Sequence, residues 1–179
     1  MFTEPSGRPA SPGAAHWQPS TLGAEMALAD AYLRRAASGM GRRLYAQVCC
    51  APELKSAPFP PMVLLALVEN AVRHGAAPSL TPVVVQVSAY AMRDHLIVDV
   101  QDDGVGLGPG PGLRAGRGLR HSRARLAQAF GGAARLSVAS QASRGVLSRI
   151  AVACPKPITA HHFAHAPAHH PARPDHHET

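Results

Sequence analysis

The chain has 179 residues, a hydrophobic fraction of 46%, an aromatic fraction of 4% and a formal net charge of +7 at pH 7. This length holds one ordinary domain with tails, and the apolar fraction is enough for a core built from aliphatic side chains. Because no apolar run approaches the roughly 20 residues that cross a bilayer, and the cysteines show no disulfide framework, we expect a cytoplasmic protein with no transmembrane segment and no secretory signal.

The first part of the chain predicts a leader, two helices and a strand. Residues 1–19 are rich in Pro, Gly and Ser and predict a disordered leader. Apolar residues at near-helical spacing predict a helix over residues 21–40, and a strand follows over residues 44–49. A second helix is predicted over residues 62–74, with prolines before it and Gly75 as its C-cap.

The second part of the chain predicts two hairpins and a third helix. The predicted ranges are strands over residues 82–91 and 95–100, a helix over residues 119–130, and strands over residues 134–140 and 146–153. Residues 104–118 are too rich in Gly and Pro for regular structure and predict a mobile loop. The element order predicts an α+β two-layer sandwich over residues 20–155, with about three helices on one face of a mostly antiparallel sheet.

The last 24 residues differ in composition from the rest. Residues 156–179 hold most of the eleven histidines, mixed with Pro and Ala, and show no apolar periodicity. We interpret this segment as a disordered, solvated tail. Histidine-rich tracts can also bind transition metals, so zinc or nickel binding by the tail is the alternative interpretation.

A polar pair interrupts the apolar second helix. Glu69 and Asn70 stand where Ala or Leu would favour the helix more, and Arg73 and His74 follow one turn later. An amide oxygen, a carboxylate and nearby cationic groups on one helix end suit a divalent cation and phosphate. Taken alone, the same residues also fit a surface ion pair between Glu69 and Arg73, with Asn70 merely exposed.

Two glycine-rich turns follow the polar pair. Asp102, Gly104 and Gly106 carry a strand into a turn in which the backbone can approach a flat ligand and a carboxylate can accept from an amino group. Gly116 and Gly118 stand just before Leu119, where a helix N-terminus can expose N–H groups to an anion. The arginines of residues 114–125 suit phosphate there at least as well as nucleic acid, and we expect no nucleic-acid partner.

Together and in this order, the three segments resemble the GHKL (Bergerat-fold) ATPase superfamily. The resemblance covers about residues 21–155, and the segment over residues 67–75 is most similar to sensor histidine kinases of the LytS/YehU type. It implies that Asn70 ligates Mg²⁺, that Glu69 acts near the γ-phosphate of ATP, and that Asp102 accepts from the adenine amino group. It further implies that a second set of residues approaches the base or caps the phosphates: Arg73, His74, Gly104, Gly106, Gly116, Gly118 and Leu119.

Three departures from the family pattern shape the functional expectation. Residues 1–20 contain no segment resembling the family's phosphoacceptor histidine box, His121 replaces a usual Asn, and Val146 stands where a hydroxyl is usual near the adenine site. We therefore expect an ATP-binding protein kinase domain that transfers phosphate to a histidine on a separate chain. The partner would be a histidine-bearing dimerisation domain or kinase, with a response regulator beyond it. The alternatives are a non-catalytic nucleotide-binding or interaction module and an anti-sigma-type serine kinase.

Overall fold

A computed structural model describes most of the predicted domain. The described residues are 20–107, 117–142 and 144–154. The predicted leader (residues 1–19), the predicted tail (residues 156–179) and Gly116, with most of the predicted loop over residues 104–118, lie outside them. None of the helices in these ranges is long and apolar enough to cross a membrane. All three cysteines are free.

The described residues form three α-helices and seven β-strands. The helices are α1 (Leu22–Met40), α2 (Val63–Asn70) and α3 (Arg117–Phe130). The strands are β1 (Ser20–Thr21), β2 (Leu44–Cys50), β3 (Pro58–Phe59), β4 (Val83–Met92), β5 (His95–Asp102), β6 (Ala134–Ser140) and β7 (Val146–Ala153). Strands β6 and β7 have the predicted bounds, whereas β2, β4 and β5 end one or two residues later than predicted.

Five of the strands form one sheet in the order β2-β4-β5-β7-β6. Its pairings are antiparallel except that β2 runs parallel to β4. Along β4, Val83, Val85 and Val87 are fully buried, because a period of two places them all on the face that the helices cover. Strands β1 and β3 form a separate short antiparallel pair. The architecture is an α+β two-layer sandwich, which confirms the predicted fold class.

Helix α1 begins and ends where local chemistry predicts. The Thr21 hydroxyl accepts from the Ala24 N–H at 3.2 Å and caps the first turn. At the other end Gly41 takes a φ of 60°, and its N–H donates to the Ala37 carbonyl. Between these ends Met26, Ala29 and Leu33 recur at helical spacing and are buried against the sheet.

Helix α2 does not end as predicted. A π-helical turn continues it over Ala71–Ala76, and the Ala77 N–H donates to the Val72 carbonyl at 2.8 Å. The predicted C-cap at Gly75 is therefore wrong, because Gly75 lies inside this wider turn. Single π-turns of this kind are frequent at functional sites, since they change the direction of the side chains that follow.

Helix α3 begins at Arg117, two residues earlier than predicted. Gly118 therefore lies in the first helical turn and not before it, which corrects the sequence interpretation. Leu119, Ser122 and Leu126 recur at helical spacing on the buried face of α3. Arg125 lies on the exposed side and donates to the Pro61 carbonyl at 2.7 Å, which ties α3 to the start of α2.

Candidate functional site

A cleft lies where the π-turn after α2, the end of β5 and the first turn of α3 meet. Five residues predicted for the site line it: Asn70, His74, Asp102, Gly106 and Leu119. The cavity volume is about 20 Å³, so a flat ligand must spread these walls or lie partly above them. The fold thus brings distant parts of the chain into one cleft.

Asp102 is the buried carboxylate of this cleft. It is 3% exposed, and its Oδ1 accepts from the Gly104 N–H at 3.0 Å. No cationic side chain in the described ranges forms an ion pair with it. Burial raises the pKa of the Asp102 carboxyl to about 6, opposed by backbone hydrogen bonds from Gly104 and Val146 and assisted by the nearby Asp103. Such a carboxylate is ready to accept from an N–H group of a ligand.

Two glycines let the turn after β5 pack against the π-turn. A Cβ at Gly75 would overlap the Asp102 carboxylate, and a Cβ at Gly104 would overlap the Gly75 backbone. The Val105 N–H donates to the Gly75 carbonyl at 3.2 Å and joins the two turns. Gly75 is therefore a site residue, although the sequence analysis assigned it only to a helix end.

The remaining walls of the cleft are apolar. Ala71 and Leu119 contribute from the helical layer, and Val100, Val138 and Val146 contribute from the sheet. Apolar surfaces on both sides with one carboxylate at the edge suit a planar heteroaromatic ring, whose faces are apolar and whose edge is polar.

Glu69 and Asn70 end α2 and line different clefts. Asn70 borders the cleft of Asp102, and a Cβ at Gly118 would lie 3.9 Å from the Asn70 amide, so the first turn of α3 faces it. Glu69 borders a second cleft with His121 and Arg125, whose cavity volume is about 270 Å³. Neither the Glu69 nor the Asn70 side chain makes a hydrogen bond or ion pair within the described part of the chain.

Arg73 is exposed and lines neither cleft. It forms no ion pair with Glu69, so the surface pair considered as an alternative is not formed in the structure. No three His, Cys, Asp or Glu residues within the described ranges are grouped to hold a metal ion. The Asn70 amide oxygen could hold a hard cation only together with oxygens of a bound phosphate and water, which is how Mg²⁺ commonly binds.

Three residues that the sequence analysis missed also shape the cleft. Gln141 Nε2 donates to the Asp102 carbonyl at 2.9 Å, and Arg144 Nε donates to the Asp103 carbonyl at 2.6 Å. Ser148 lines the cleft itself. The alternation along β7 could have placed Ser148 on the inner face, whereas the Gln141 and Arg144 contacts depend on how the β6–β7 connection folds over β5.

Residues 58–156 match the sequence model of a family described as histidine kinase-, DNA gyrase B-, and HSP90-like ATPase. The chain belongs to this ATPase family. It is also 30% identical over 121 residues to the sensor histidine kinase BtsS of Escherichia coli K12 and of Shigella flexneri. The match covers 68% of this chain and 21% of each relative, so the chain spans about a fifth of their length.

Solved histidine-kinase domains share the fold. The histidine kinase domain of the Erythrobacter litoralis EL346 blue-light activated kinase superposes with a TM-score of 0.54 at 22% identity, covering 72% of this chain and 60% of that one. The catalytic domain of histidine kinase ThkA superposes with a TM-score of 0.57 at 13% identity, covering 76% of this chain and 94% of that domain. The ATPase-family domain of this chain therefore has the fold of a histidine-kinase catalytic domain.

Proposed function

We propose that this domain binds Mg-ATP and acts as the catalytic domain of a cytoplasmic sensor histidine kinase, passing the γ-phosphate to a histidine on a separate chain. The observation that carries the proposal is Asp102, a carboxylate that is buried at the edge of an apolar cleft and forms no ion pair with any described side chain. Family membership and the fold support the same function.

The base would bind between the helical and sheet walls of the cleft. Asp102 would accept from the exocyclic amino group of adenine, because its ionised carboxylate offers acceptors and no donor. Gly104 and Gly106 would allow the backbone after β5 to lie close to the ring. Guanine carries an oxygen at the position of that amino group, so the carboxylate would repel it and favour adenine.

The phosphates would lie between the end of α2 and the first turn of α3. The Asn70 amide oxygen would ligate Mg²⁺, which supplies positive charge to the phosphate oxygens. The backbone at Gly116, Gly118 and Leu119 would meet the phosphates at the helix N-terminus. His74 borders the cleft and Arg73 is exposed one residue before it, so both would add charge at its rim.

Phosphoryl transfer would then depend on positioning more than on covalent help from the protein. Glu69 faces the second cleft together with His121 and Arg125. In this position its carboxylate would accept from the N–H of an acceptor imidazole, which orients the ring, and would take up the proton that this N–H loses when the other ring nitrogen bonds to the γ-phosphorus and ADP leaves. A histidine-bearing dimerisation domain would supply that imidazole, and a response regulator would receive the phosphate from it.

Calorimetric titration with ATP, with and without Mg²⁺, tests nucleotide binding. The wild type should bind more tightly with Mg²⁺, and Asn70→Ala should lose that dependence. Gln47→Ala removes an exposed amide side chain from β2, far from the cleft, and serves as the matched control. Equal affinities of wild type and Asn70→Ala in Mg²⁺ would overturn the assignment of Asn70.

Transfer requires a separate test. The domain would be incubated with ATP labelled at the γ-phosphate and with E. coli BtsS from which the segment similar to this chain is removed. The expected product is an acid-labile phosphohistidine on the truncated BtsS, lost with Glu69→Gln. ATP binding without any transfer would favour the non-catalytic binding module, and acid-stable label would favour the serine kinase.

A further inference from the structure

Ser148 carries a buried hydroxyl on the inner face of the sheet. It is 8% exposed on β7, and its side chain makes no hydrogen bond within the described part of the chain. Most buried polar groups in proteins are hydrogen-bonded, because burying one without a partner is unfavourable. A buried hydroxyl in the wall of a cleft is therefore a candidate for a contact with a molecule bound there.

The sheet register places Ser148 beside Asp102. Ser148 pairs with Val100 on β5 and with Val138 on β6, while Asp102 pairs with Val146. Ser148 is thus a diagonal neighbour of Asp102, a relation that sets Cα atoms roughly 7–8 Å apart and keeps side chains within reach of one another's ligands. Both residues line the same cleft.

The remaining sheet residues of the cleft offer no hydrogen-bonding side chain. Val100, Val138 and Val146 are apolar, and Val146 occupies the position where the family pattern usually has a hydroxyl. Ser148 follows two residues later, and the period of two along β7 turns it to the same inner face. Its hydroxyl therefore lies on the side of the sheet where Val146 has none.

We propose that Ser148 contacts the base of the bound nucleotide, its hydroxyl donating to the ring nitrogen next to the amino group that Asp102 accepts from. The inference rests on the proposed binding of ATP. Adenine presents a donor and an adjacent acceptor along this edge, and Asp102 with Ser148 offers the matching acceptor and donor. The two residues would thus contact two neighbouring atoms of the base, whereas Asp102 alone would contact one.

A thermodynamic cycle that combines two variants of the protein with two nucleotides tests the contact. ATP and 1-deaza-ATP, which carries carbon in place of ring nitrogen 1, are titrated in Mg²⁺ against wild type and Ser148→Ala. We expect Ser148→Ala to lower the affinity for ATP about fivefold to tenfold, which is the effect of losing one hydrogen bond. It should leave the affinity for 1-deaza-ATP unchanged, because that analogue has no acceptor to lose.

The outcomes separate this inference from the proposed function. Suppose that the wild type binds ATP and that Ser148→Ala either binds ATP with the same affinity or loses affinity for ATP and for 1-deaza-ATP by the same factor. The proposed Ser148 contact is then wrong, whereas ATP binding by the domain stands. If the wild type binds neither nucleotide, the proposed function fails first. Ser137→Ala, on the exposed side of β6, should behave as wild type. Thermal unfolding without nucleotide should show no loss for Ser148→Ala, since its hydroxyl has no partner within the described residues.

Discussion

Asp99 and Asp102 lie three residues apart on β5, on opposite faces of the sheet, and both are nearly fully buried. Asp99 accepts from Arg149 Nε and Nη2, each at 2.8 Å, and from the Tyr90 hydroxyl at 3.1 Å. Asp102 has only backbone donors and no cation partner among the described side chains. One strand therefore carries a carboxylate that is paired with a cation and a carboxylate that has only backbone donors.

The difference separates stabilisation from function. The hydrogen bonds to Asp99 raise the pKa of Arg149, so they favour the charged form of the guanidinium. Burial has the opposite effect on Asp102, where the raised pKa shows that the charged form is disfavoured. A group kept in an unfavourable state, in a cleft, indicates a binding role, because a ligand donor can satisfy it.

Asp102→Asn should produce the largest effect of any single change in this comparison. We expect ATP affinity to fall about 100-fold, because a charge-assisted acceptor is lost and the new amide presents a donor to the adenine amino group. At the same time the free energy of unfolding at pH 7.5 should rise by about 1–2 kcal/mol, since a buried charge disappears and one backbone hydrogen bond weakens. Calorimetry and urea unfolding measure the two quantities. Tighter ATP binding, or a lower stability, would contradict the functional assignment.

The size of the stability gain from Asp102→Asn depends on pH. The Asp102 carboxyl has its pKa raised from 3.8 to about 6 in the folded protein. Its contribution to stability is thus fully present below pH 3.8 and is lost as the pH rises through 6. The advantage of Asp102→Asn should accordingly vanish when unfolding is measured at pH 4, and an advantage that persists there would have another cause.

Gly75→Ala should disturb the cleft that Asp102 lines, because the added side chain cannot be packed there. The added Cβ would overlap the Asp102 carboxylate, so the π-turn or the end of β5 must move. We expect a loss of about 2–3 kcal/mol in the free energy of unfolding and at least a tenfold loss of ATP affinity. Gly39→Ala in α1 is the matched control, because nothing lies within 4 Å of a Cβ added there. This variant should raise the free energy of unfolding by up to about 1 kcal/mol. Equal behaviour of the two variants would refute the close packing at Gly75.

Asp99→Asn is the chemical match of Asp102→Asn on the other face. It should lower the free energy of unfolding by about 1–2 kcal/mol, because Arg149 loses its charged partner but remains partly exposed to water. ATP affinity should stay within twofold of wild type, since Asp99 faces away from the cleft. A large loss of affinity without a loss of stability would show that the two faces are coupled.

Lowering the pH should by itself weaken ATP binding to the wild type. With the Asp102 pKa at about 6, ATP binding should weaken about twofold at pH 6 and about tenfold at pH 5 relative to pH 8. ATP itself takes up protons in this range, so the same titration on Asp102→Asn provides the correction. The ratio of wild-type to variant affinity should fall with pH, and a constant ratio would show that Asp102 does not titrate where the structure indicates.

Local patterns predicted much of this protein. The bounds of α1, β6 and β7 are set by near neighbours in the chain, and all three were predicted to within one residue. Gly75 was read as a helix end, because a glycine after a helical run is most often a cap. Its observed place depends on Asp102, 27 residues later, and no local pattern reports that contact.

The same distinction between local pattern and tertiary contact applies to the candidate site. The sequence by itself indicated Glu69, Asn70, Asp102 and the glycine turns, because the three segments occur in the order that resembles the motifs of the GHKL ATPases. Only the tertiary structure showed that Asp99 has a cation partner whereas Asp102 has none among the described residues, since Arg149 reaches Asp99 from β7 across the opposite face. The same register brought Ser148 to the cleft. Residue type records which groups are present, but pairing across strands decides which of them remain unsatisfied.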